Sequence, residues 1–306
     1  MSSSLLKEDG VFFPEDYSFE GQVVVLGGVS SSLGRSYAEI LLNNGAKVMV
    51  YDAEVESAAE SLAQEYTGHC CGGNIQACDQ TGMGSGQAAV SAAEAHWGLG
   101  VHSLVTCPNV QVERAFLKMA ASEWNFAYEH HLRSVYEAAW AAWRIFRRSR
   151  HGRLVMVVPP QALHPGIGTA SVASCSLGVW GLAGALAKEG SKCDIKANVV
   201  VAHAGGGGLC HQAYLPPALR PVAKPGATAA LVALLAHKRC PVSGACYEAG
   251  AGWCRRIVLA ASGIVKSASS IAELESSMIA EENRSMASNA DSWSAASLES
   301  ALEGMA

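Results

Sequence analysis

A turn rich in glycine and serine, Gly27 to Gly34, joins a short apolar run to a segment with helical spacing. Such a turn can direct backbone N–H groups and a helix N-terminus at a pyrophosphate, because glycine lets the backbone approach the ligand closely. Dinucleotide-binding turns of this kind carry three glycines, and Ser32 stands where the second one is expected. Its Cβ would crowd the phosphate, and hydrogen bonds from the neighbouring serine hydroxyls would compensate for this only in part. The residues expected to line this pocket are Gly28, Ser30, Ser32, Leu33 and Gly34. The same turn also has a purely structural interpretation, as a tight loop closure.

Two aspartates follow the next two predicted strands. Asp52 stands where a carboxylate would bind the ribose of an adenine nucleotide and repel a 2′-phosphate, which favours NAD over NADP. Asp79 could accept a hydrogen bond from the adenine. Both residues equally suit the simple closure of a loop after a strand, so the sequence leaves nucleotide binding open.

Apolar runs and helical spacing alternate along the chain, and this order predicts an α/β fold with a doubly wound parallel sheet of the Rossmann type. We expect an N-terminal extension over residues 1–20, the Rossmann-type domain over 21–265, and an added helix with a tail over 266–306. The predicted strands cover residues 22–26, 47–52, 72–78, 103–106, 153–158 and 195–201. The predicted helices cover residues 33–44, 57–66, 87–97, 123–147, 171–189 and 270–281.

The composition excludes several classes of protein. With 50% hydrophobic residues, 16% charged residues and a net charge of −5, the 306-residue chain has no general attraction to nucleic acid or anionic membranes. The longest apolar runs fall short of the roughly 20 residues of a membrane span. Ten cysteines without regular metal spacing predict free thiols in a reducing compartment and no metal site. Neither terminus carries a secretory or peroxisomal signal.

Several longer segments share the pattern of a known family, and they are residues 18–21, 33–37, 131–133, 177–183, 189–198, 244–253, 270–274 and 281–283. These segments resemble the short-chain dehydrogenases, and among them the (3R)-hydroxyacyl-CoA dehydrogenase unit of peroxisomal multifunctional enzyme type 2. The stretch Gly244 to Trp253, which ends in Gly-Ala-Gly-Trp, is much more specific than the glycine turn. The resemblance implies a short-chain dehydrogenase fold, an NAD cofactor and a partner subunit.

The same resemblance implies a catalytic serine, tyrosine and lysine, and this chain has none of the three. Aligned on Gly152 and Leu177-Gly178, their positions hold Pro159, Val172 and Ser176. His131 stands at the position of the family's asparagine. Thr106-Cys-Pro-Asn109 replaces the usual Asn-Asn-Ala-Gly beside the cofactor, where Asn109 remains a candidate contact.

Three hypotheses about the function follow from the sequence. The first is a catalytically inactive protein that serves as a structural or regulatory subunit of a larger complex and still binds NAD(H). The second is an active NAD-dependent (3R)-hydroxyacyl-CoA dehydrogenase with rewired proton transfer through His131, His164, His203 or Cys175. The third is a nucleotide sensor. A mitochondrial or cytosolic location is expected, the former by analogy with organellar assemblies.

Partner contacts are expected in a homo- or hetero-oligomer through the helices Glu123–Arg147 and Ser171–Glu189 and through the C-terminal tail. Trp140, Trp143 and Trp180 are candidates for the contact or for the core. A basic cluster at a helix end is explained by the helix dipole or, less simply, by an acidic partner or RNA. Its members are Arg144, Arg147, Arg148, Arg150 and Arg153.

Overall fold

A computed structural model describes residues 15–55, 57–67, 74–203, 224–260 and 270–279. The chain divides into two compact units, Met1–Ile257 and Val258–Ala306. The first unit holds the sheet and its flanking helices.

The first unit is built on an eight-stranded sheet among the described residues, in the order β3-β2-β1-β4-β5-β6-β7-β8. All pairs are parallel except β7 with β8. The strands are β1 (Val23–Gly27), β2 (Lys47–Tyr51), β3 (Ile75–Ala77), β4 (Ser103–Thr106), β5 (Gly152–Val158), β6 (Ile195–His203), β7 (Cys246–Gly250) and β8 (Trp253–Ile257). The strand order reverses between β1 and β4, the place where open α/β sheets bind ligands beyond their carboxyl ends.

Helices cover both faces of the sheet. They are α1 (Ser32–Asn43), α2 (Ala58–Thr67), α3 (Ser85–Trp97), α4 (Ala121–Tyr128), α5 (Ser134–Ser149), α6 (Ala170–Gly190) and α7 (Ala229–Ala236). One apolar core lies between the sheet and α1, α2 and α7, and the other lies between the sheet and α3, α5 and α6. Because both faces of the central strands are covered, their residues read as continuous apolar runs, as in β1 and β5.

This architecture confirms the predicted doubly wound fold. The six predicted strands are present with small shifts of their ends, and β7 and β8 were not predicted as strands. The predicted helix 123–147 is α4 and α5 joined through a π-helical turn, Glu129–Arg133. Such turns add one residue to the helical repeat and often occur at functional sites.

Helix α6, with the turn that follows it, has the length and hydropathy of a membrane span, which the sequence analysis expected of no segment. Eighteen consecutive residues within Ala170–Cys193 have a mean hydropathy of 1.5, so by length and composition the segment could cross a membrane. It packs against β5 and β6, and the core helix of an α/β sheet passes the same test. Its buried residues Val179, Ala183 and Ala187 belong to the second core.

Arg153 does not belong to the predicted basic cluster. Its side chain is 1% exposed and donates to the carbonyl oxygens of His237, Lys238 and Asp194 and to the carboxylate of Asp194. It therefore ties β5 to two loops of the core.

The other arginines of the cluster lie at the end of α5, and three of them have intramolecular contacts. Arg148 pairs with Glu94, Arg150 donates to the carbonyl of Lys192, and Arg144 lies over the ring of Trp140. These contacts fit the simple interpretation of cations at a helix C-terminus.

The predicted C-terminal helix is present over residues 271–279 in the second unit. Its Ile271, Leu274, Met278 and Ile279 are exposed by 40% or more. The predicted tail contacts, Trp293, Leu298, Leu302 and Met305, lie outside the described residues.

Candidate functional site

The glycine turn between β1 and α1 has the geometry of a nucleotide loop. Gly28 has φ +79°, and a Cβ there would lie 1.7 Å from the carbonyl oxygen of Cys107. A Cβ on Gly34 would lie 2.2 Å from the carbonyl oxygen of Gly28. Both positions therefore require glycine, which holds α1 close to the strand ends.

Serine hydroxyls close the same turn. Ser31 caps α1, since its Oγ accepts from the N–H of Gly34 at 3.0 Å and donates to the carbonyl of Gly28 at 2.7 Å. Ser32 begins the helix, and the side chain of Leu33 lies in the core at 2% exposure. Leu33 could therefore contact a phosphate only through its backbone, at the helix N-terminus.

Asp52 is buried at 2% exposure and accepts three backbone N–H groups. Ser30 donates to its Oδ2 at 2.7 Å, and Glu54 and Val55 donate to its Oδ1 at 3.0 Å each. These contacts support the structural interpretation, in which the carboxylate closes the loop after β2. The exposed Asp79 lines a shallow cleft together with Asp52 and Cys78, so the structure does bring the two predicted aspartates together.

Glu54 lies between the loop after β2 and the loop after β4, and the sequence analysis did not predict a role for it. Its Oε1 accepts the backbone N–H of Asn109 at 3.2 Å, which joins the loop after β2 to the loop after β4. Burial raises the pKa of Glu54 above its usual range, against the lowering effect of the Asn109 N–H. Isolated glutamates are common after strands, so no spacing in the sequence marks this one.

Several buried polar atoms beside the turn have no hydrogen-bond partner in the described part of the chain. They are Ser30 Oγ, Thr106 Oγ1 and Asn109 Oδ1. An unpartnered buried polar atom costs about 1–3 kcal/mol, and the hydroxyls of a nucleotide would satisfy such atoms. By this test the turn fits a dinucleotide. The contact between Glu54 and Asn109 lies beside the turn, where the adenosine of such a ligand would approach.

Two of the positions that the sequence analysis assigns to the family's catalytic residues lie together beyond the end of β5. Pro159 and Val172 line one small cleft with Val110, Gln161 and Thr169. Val172, 5% exposed, packs with Val112 and Ala127. Pro159 and Val172 thus present apolar groups to a cleft whose polar lining comes from Gln111, Glu113, Gln161 and Thr169.

Ser176 and Cys175 follow on α6 and are buried. The Oγ of Ser176, 0% exposed, has no partner among the described residues. Burial raises the pKa of the Cys175 thiol, which therefore stays protonated at neutral pH. Neither side chain offers a charge that would assist proton transfer.

His131 lies in the π-helical turn at 1% exposure. Its Nε2 contacts the carbonyl oxygen of Val110 at 2.8 Å. Burial lowers the pKa of His131 to about 4, so the imidazole is neutral at pH 7. It positions the loop after β4 and is poorly suited to donate a proton.

A cluster that the sequence did not reveal lies at the ends of β6 and β7. His164, from the loop after β5, and His203, at the end of β6, each place Nε2 2.7 Å from Oε1 of Glu248 on β7. Arg255 on β8 donates to the other carboxylate oxygen, with Nε at 2.8 Å and a terminal nitrogen at 2.7 Å. Burial disfavours the Glu248 carboxylate, yet these donors outweigh it and lower its pKa well below the usual range.

The register explains why this cluster forms. Val201 pairs with Glu248, so His203, two residues on, lies diagonally beside Glu248 on the same sheet face. Arg255 pairs directly with Glu248 from the other side. Strand pairing thus brings His203 and Arg255 to Glu248, and the loop after β5 adds His164, which is 84 positions from Glu248 in the chain.

Comparison with known proteins agrees with this geometry. The sequence model of the family described as short chain dehydrogenase matches residues 22–204. The chain is 29% identical over 243 residues to peroxisomal multifunctional enzyme type 2 of Mus musculus, covering 77% of this chain and 32% of the relative. It is 29% identical over 183 residues to the 3-oxoacyl-acyl-carrier-protein reductase of Escherichia coli, covering 60% and 73%.

A solved structure shows the same fold. Full-length peroxisomal multifunctional enzyme type 2 of Drosophila melanogaster superposes with a TM-score of 0.67 at 22% identity, covering 85% of this chain and 44% of that chain. The chain spans about a third to a half of the length of the multifunctional relatives from mouse, slime mould and fly. Because the family model matches more than half of its length, the chain belongs to the short-chain dehydrogenase family, whose members typically bind NAD(P), and is related to the hydroxyacyl-CoA dehydrogenases.

Proposed function

We propose that this protein is a catalytically silent short-chain dehydrogenase that serves as a structural or regulatory subunit of a larger complex. The observation that carries the proposal is Val172, packed with Val112 and Ala127 where the family's tyrosine would stand. Hydride transfer to or from a carbonyl carbon requires a group that moves a proton at the oxygen. Valine and Pro159 cannot do this.

Neighbouring groups do not restore the chemistry. His131 is neutral and held by Val110, and the Cys175 thiol is buried. Transition-state geometry tolerates little displacement of the acid or base.

The proposed subunit retains a dinucleotide at the turn of Gly28 and Gly34, and NAD(H) is the preferred form. The glycine geometry and the unpartnered Ser30 and Asn109 oxygens support binding. A negative charge at Asp52 disfavours a 2′-phosphate. If the affinity of this protein for its partner changes when the nucleotide binds, the protein is a nucleotide sensor rather than a structural subunit.

Two measurements on the purified full chain test this function together. In a thermal-shift titration with NAD, NADH and NADPH, a ligand at about a hundredfold its Kd stabilises the fold by about 2.7 kcal/mol. We expect a shift with NADH that exceeds the shift with NADPH. In the second measurement, NAD-dependent oxidation of (3R)-hydroxyacyl-CoA should be undetectable, and clear turnover would contradict the proposal.

The alternative function is an active dehydrogenase with rewired proton transfer. The network of His164, His203 and Glu248 favours it, because two imidazoles lie at the carboxyl end of the sheet. Turnover that survives Val172→Ala and is lost in His164→Ala would support this alternative.

The partner contact is proposed on the helices Glu123–Arg147 and Ser171–Glu189, which present large apolar side chains to solvent. The most exposed on α4, α5 and α6 are Trp124, Phe126, Tyr128, Tyr136, Trp140 and Leu177, at 38–50% exposure. Trp143 and Trp180 instead pack partly into the core. Aromatic residues are enriched at protein interfaces, so we propose this face for a homo- or hetero-oligomer and expect the mass in solution to exceed one chain.

A reducing intracellular compartment, mitochondrial or cytosolic, is part of the proposal. The described cysteines are free thiols, and six of the seven are buried, which supports it; Cys70, Cys71 and Cys210 lie outside the described residues. The relatives include both peroxisomal and bacterial proteins. Imaging of the tagged full chain in cells decides between the compartments.

A further inference from the structure

We propose that His164, His203 and Glu248 form a binding site for one divalent transition-metal ion. One ligand atom from each residue lies within 4.8 Å of the other two. In tetrahedral zinc sites with metal–ligand distances of about 2.0–2.1 Å, the ligand atoms lie about 3.3 Å apart. Small rotations of the two imidazoles, whose Nε2 atoms now lie 2.7 Å from Oε1, would open that space.

The donor set suits such an ion. Two imidazoles and one carboxylate are the ligands of open zinc sites, in which water takes the fourth position. Imidazole also suits copper, iron and nickel, while calcium and magnesium prefer oxygen alone. The His164 side chain is 27% exposed, so the site has a route to solvent, whereas His203 and Glu248 are buried.

Arg255 has the role of an outer-shell residue. It binds Oε2 of Glu248 and leaves Oε1 to the side that faces the two histidines. Hydrogen bonds to a ligating carboxylate fix its orientation. The guanidinium charge also repels the ion, so we expect weaker binding than at a zinc site without a nearby cation.

The ion takes the Nε2 lone pair of each imidazole, so the proton that Nε2 donates to Glu248 must leave that nitrogen, for Nδ1 or for solvent. Nδ1 of His203 is buried without a partner among the described residues, so it is available to carry that proton.

The site was invisible to sequence analysis because residues 164, 203 and 248 have no metal-ligand spacing. It does not rest on the proposed function, since an ion can bind whether or not the chain turns over a substrate.

The test uses the full chain, reduced and stripped of metal. Titration with zinc by calorimetry should give one saturable site per chain. Titration with cobalt should give visible d–d bands without the intense near-ultraviolet sulfur-to-cobalt band. The ten cysteines make thiolate the rival ligand, so a strong sulfur band at one equivalent would overturn the assignment, as would the absence of binding.

Variants locate the ion. His164→Ala and His203→Ala should each weaken zinc binding by more than the roughly 10–100-fold that the loss of an outer-shell partner costs. His96→Ala, an exposed histidine on α3 outside the cluster, should leave the affinity unchanged. His203→Ala removes a buried side chain and could impair folding, whereas His164 lies partly exposed in a loop. Unchanged affinity in His164→Ala therefore overturns the proposal on its own.

Discussion

Glu54 and Asn109 are 55 residues apart in sequence, yet Oε1 of Glu54 accepts the backbone N–H of Asn109 at 3.2 Å. The contact lies beside the point where the strand order reverses, between β1 and β4. In this family that point holds the cofactor, so a side chain of the protein bridges two loops at the place where an adenosine would approach.

The Glu54 bridge predicts a pH-dependent effect of Glu54→Gln. Burial raises the pKa of Glu54 in the folded state, so its contribution to stability is fully present at low pH and is lost as pH rises through the folded pKa. Glutamine has no charge to bury, and its oxygen can still accept from Asn109. Melting temperatures at pH 5 and pH 8 should show that the variant becomes more stable relative to wild type at the higher pH. The exposed Glu60→Gln serves as control, and an equal difference at both pH values would argue against the buried charge.

His131 should make the stability of the protein fall at low pH, whereas Glu54 lowers it at high pH. Burial lowers its pKa from 6.5 to about 4, so its contribution to stability is present above pH 6.5 and declines as pH falls toward 4. A shift of this size corresponds to about 3 kcal/mol. Denaturant titrations of His131→Asn across that range should show a shallower loss of stability than wild type. The exposed His96→Asn should retain the wild-type slope, and an identical slope in His131→Asn would contradict the assignment.

Arg153 should be one of the most sensitive positions to substitution. Its buried guanidinium binds four backbone carbonyls and Asp194, and Arg153→Met leaves those acceptors without donors. Asp194 is 52% exposed and can be solvated, so we expect a loss of about 3 kcal/mol or more chiefly from the buried carbonyls, since each one left unpaired costs about 1–3 kcal/mol. The exposed Arg147→Met on α5 should change the unfolding free energy by less than about 0.5 kcal/mol. A small effect at Arg153 would show that the carbonyls find other donors.

Substitutions at Ser176 and Val172 test the proposal that the chain is catalytically silent. Ser176→Ala removes an unpartnered buried hydroxyl and should leave stability unchanged or raise it by up to about 1 kcal/mol. Val172→Tyr inserts a ring beside Val112 and Ala127 and should destabilise by about 1–3 kcal/mol through overpacking. Chemical denaturation measures both. A tyrosine accepted without cost would mean that the catalytic space is still open.

The exposed aromatic face of α5 should matter for association. Tyr136 and Trp140 are 50% and 47% exposed. If this face binds another chain, the double variant Tyr136→Ser with Trp140→Ser should lower the mass measured by light scattering. Leu117→Ser, at a 98% exposed residue elsewhere, is the matched control. A mass unchanged from wild type would show that these two side chains of α5 are not part of the contact.

The amino-acid sequence determined the fold class, the first six strands and the family. Those features depend on local patterns, since buried parallel strands need continuous apolar runs and the connecting turns need glycine. The assignment of Pro159, Val172 and Ser176 to the family's catalytic positions also comes from the sequence, because it is counted from neighbouring motifs, and it stays a prediction.

Tertiary structure alone decided what the polar residues contact. Asp52, for which the sequence left a ribose contact and a loop closure open, accepts three backbone donors, and Arg153, predicted as part of a basic cluster, lies in the core. Glu54 contacts Asn109, and His164, His203 and Glu248 meet at one carboxylate oxygen. The contacts of Glu54 and Glu248 join residues far apart in the chain, and the packing of loops and strands sets them in a way that no local spacing records.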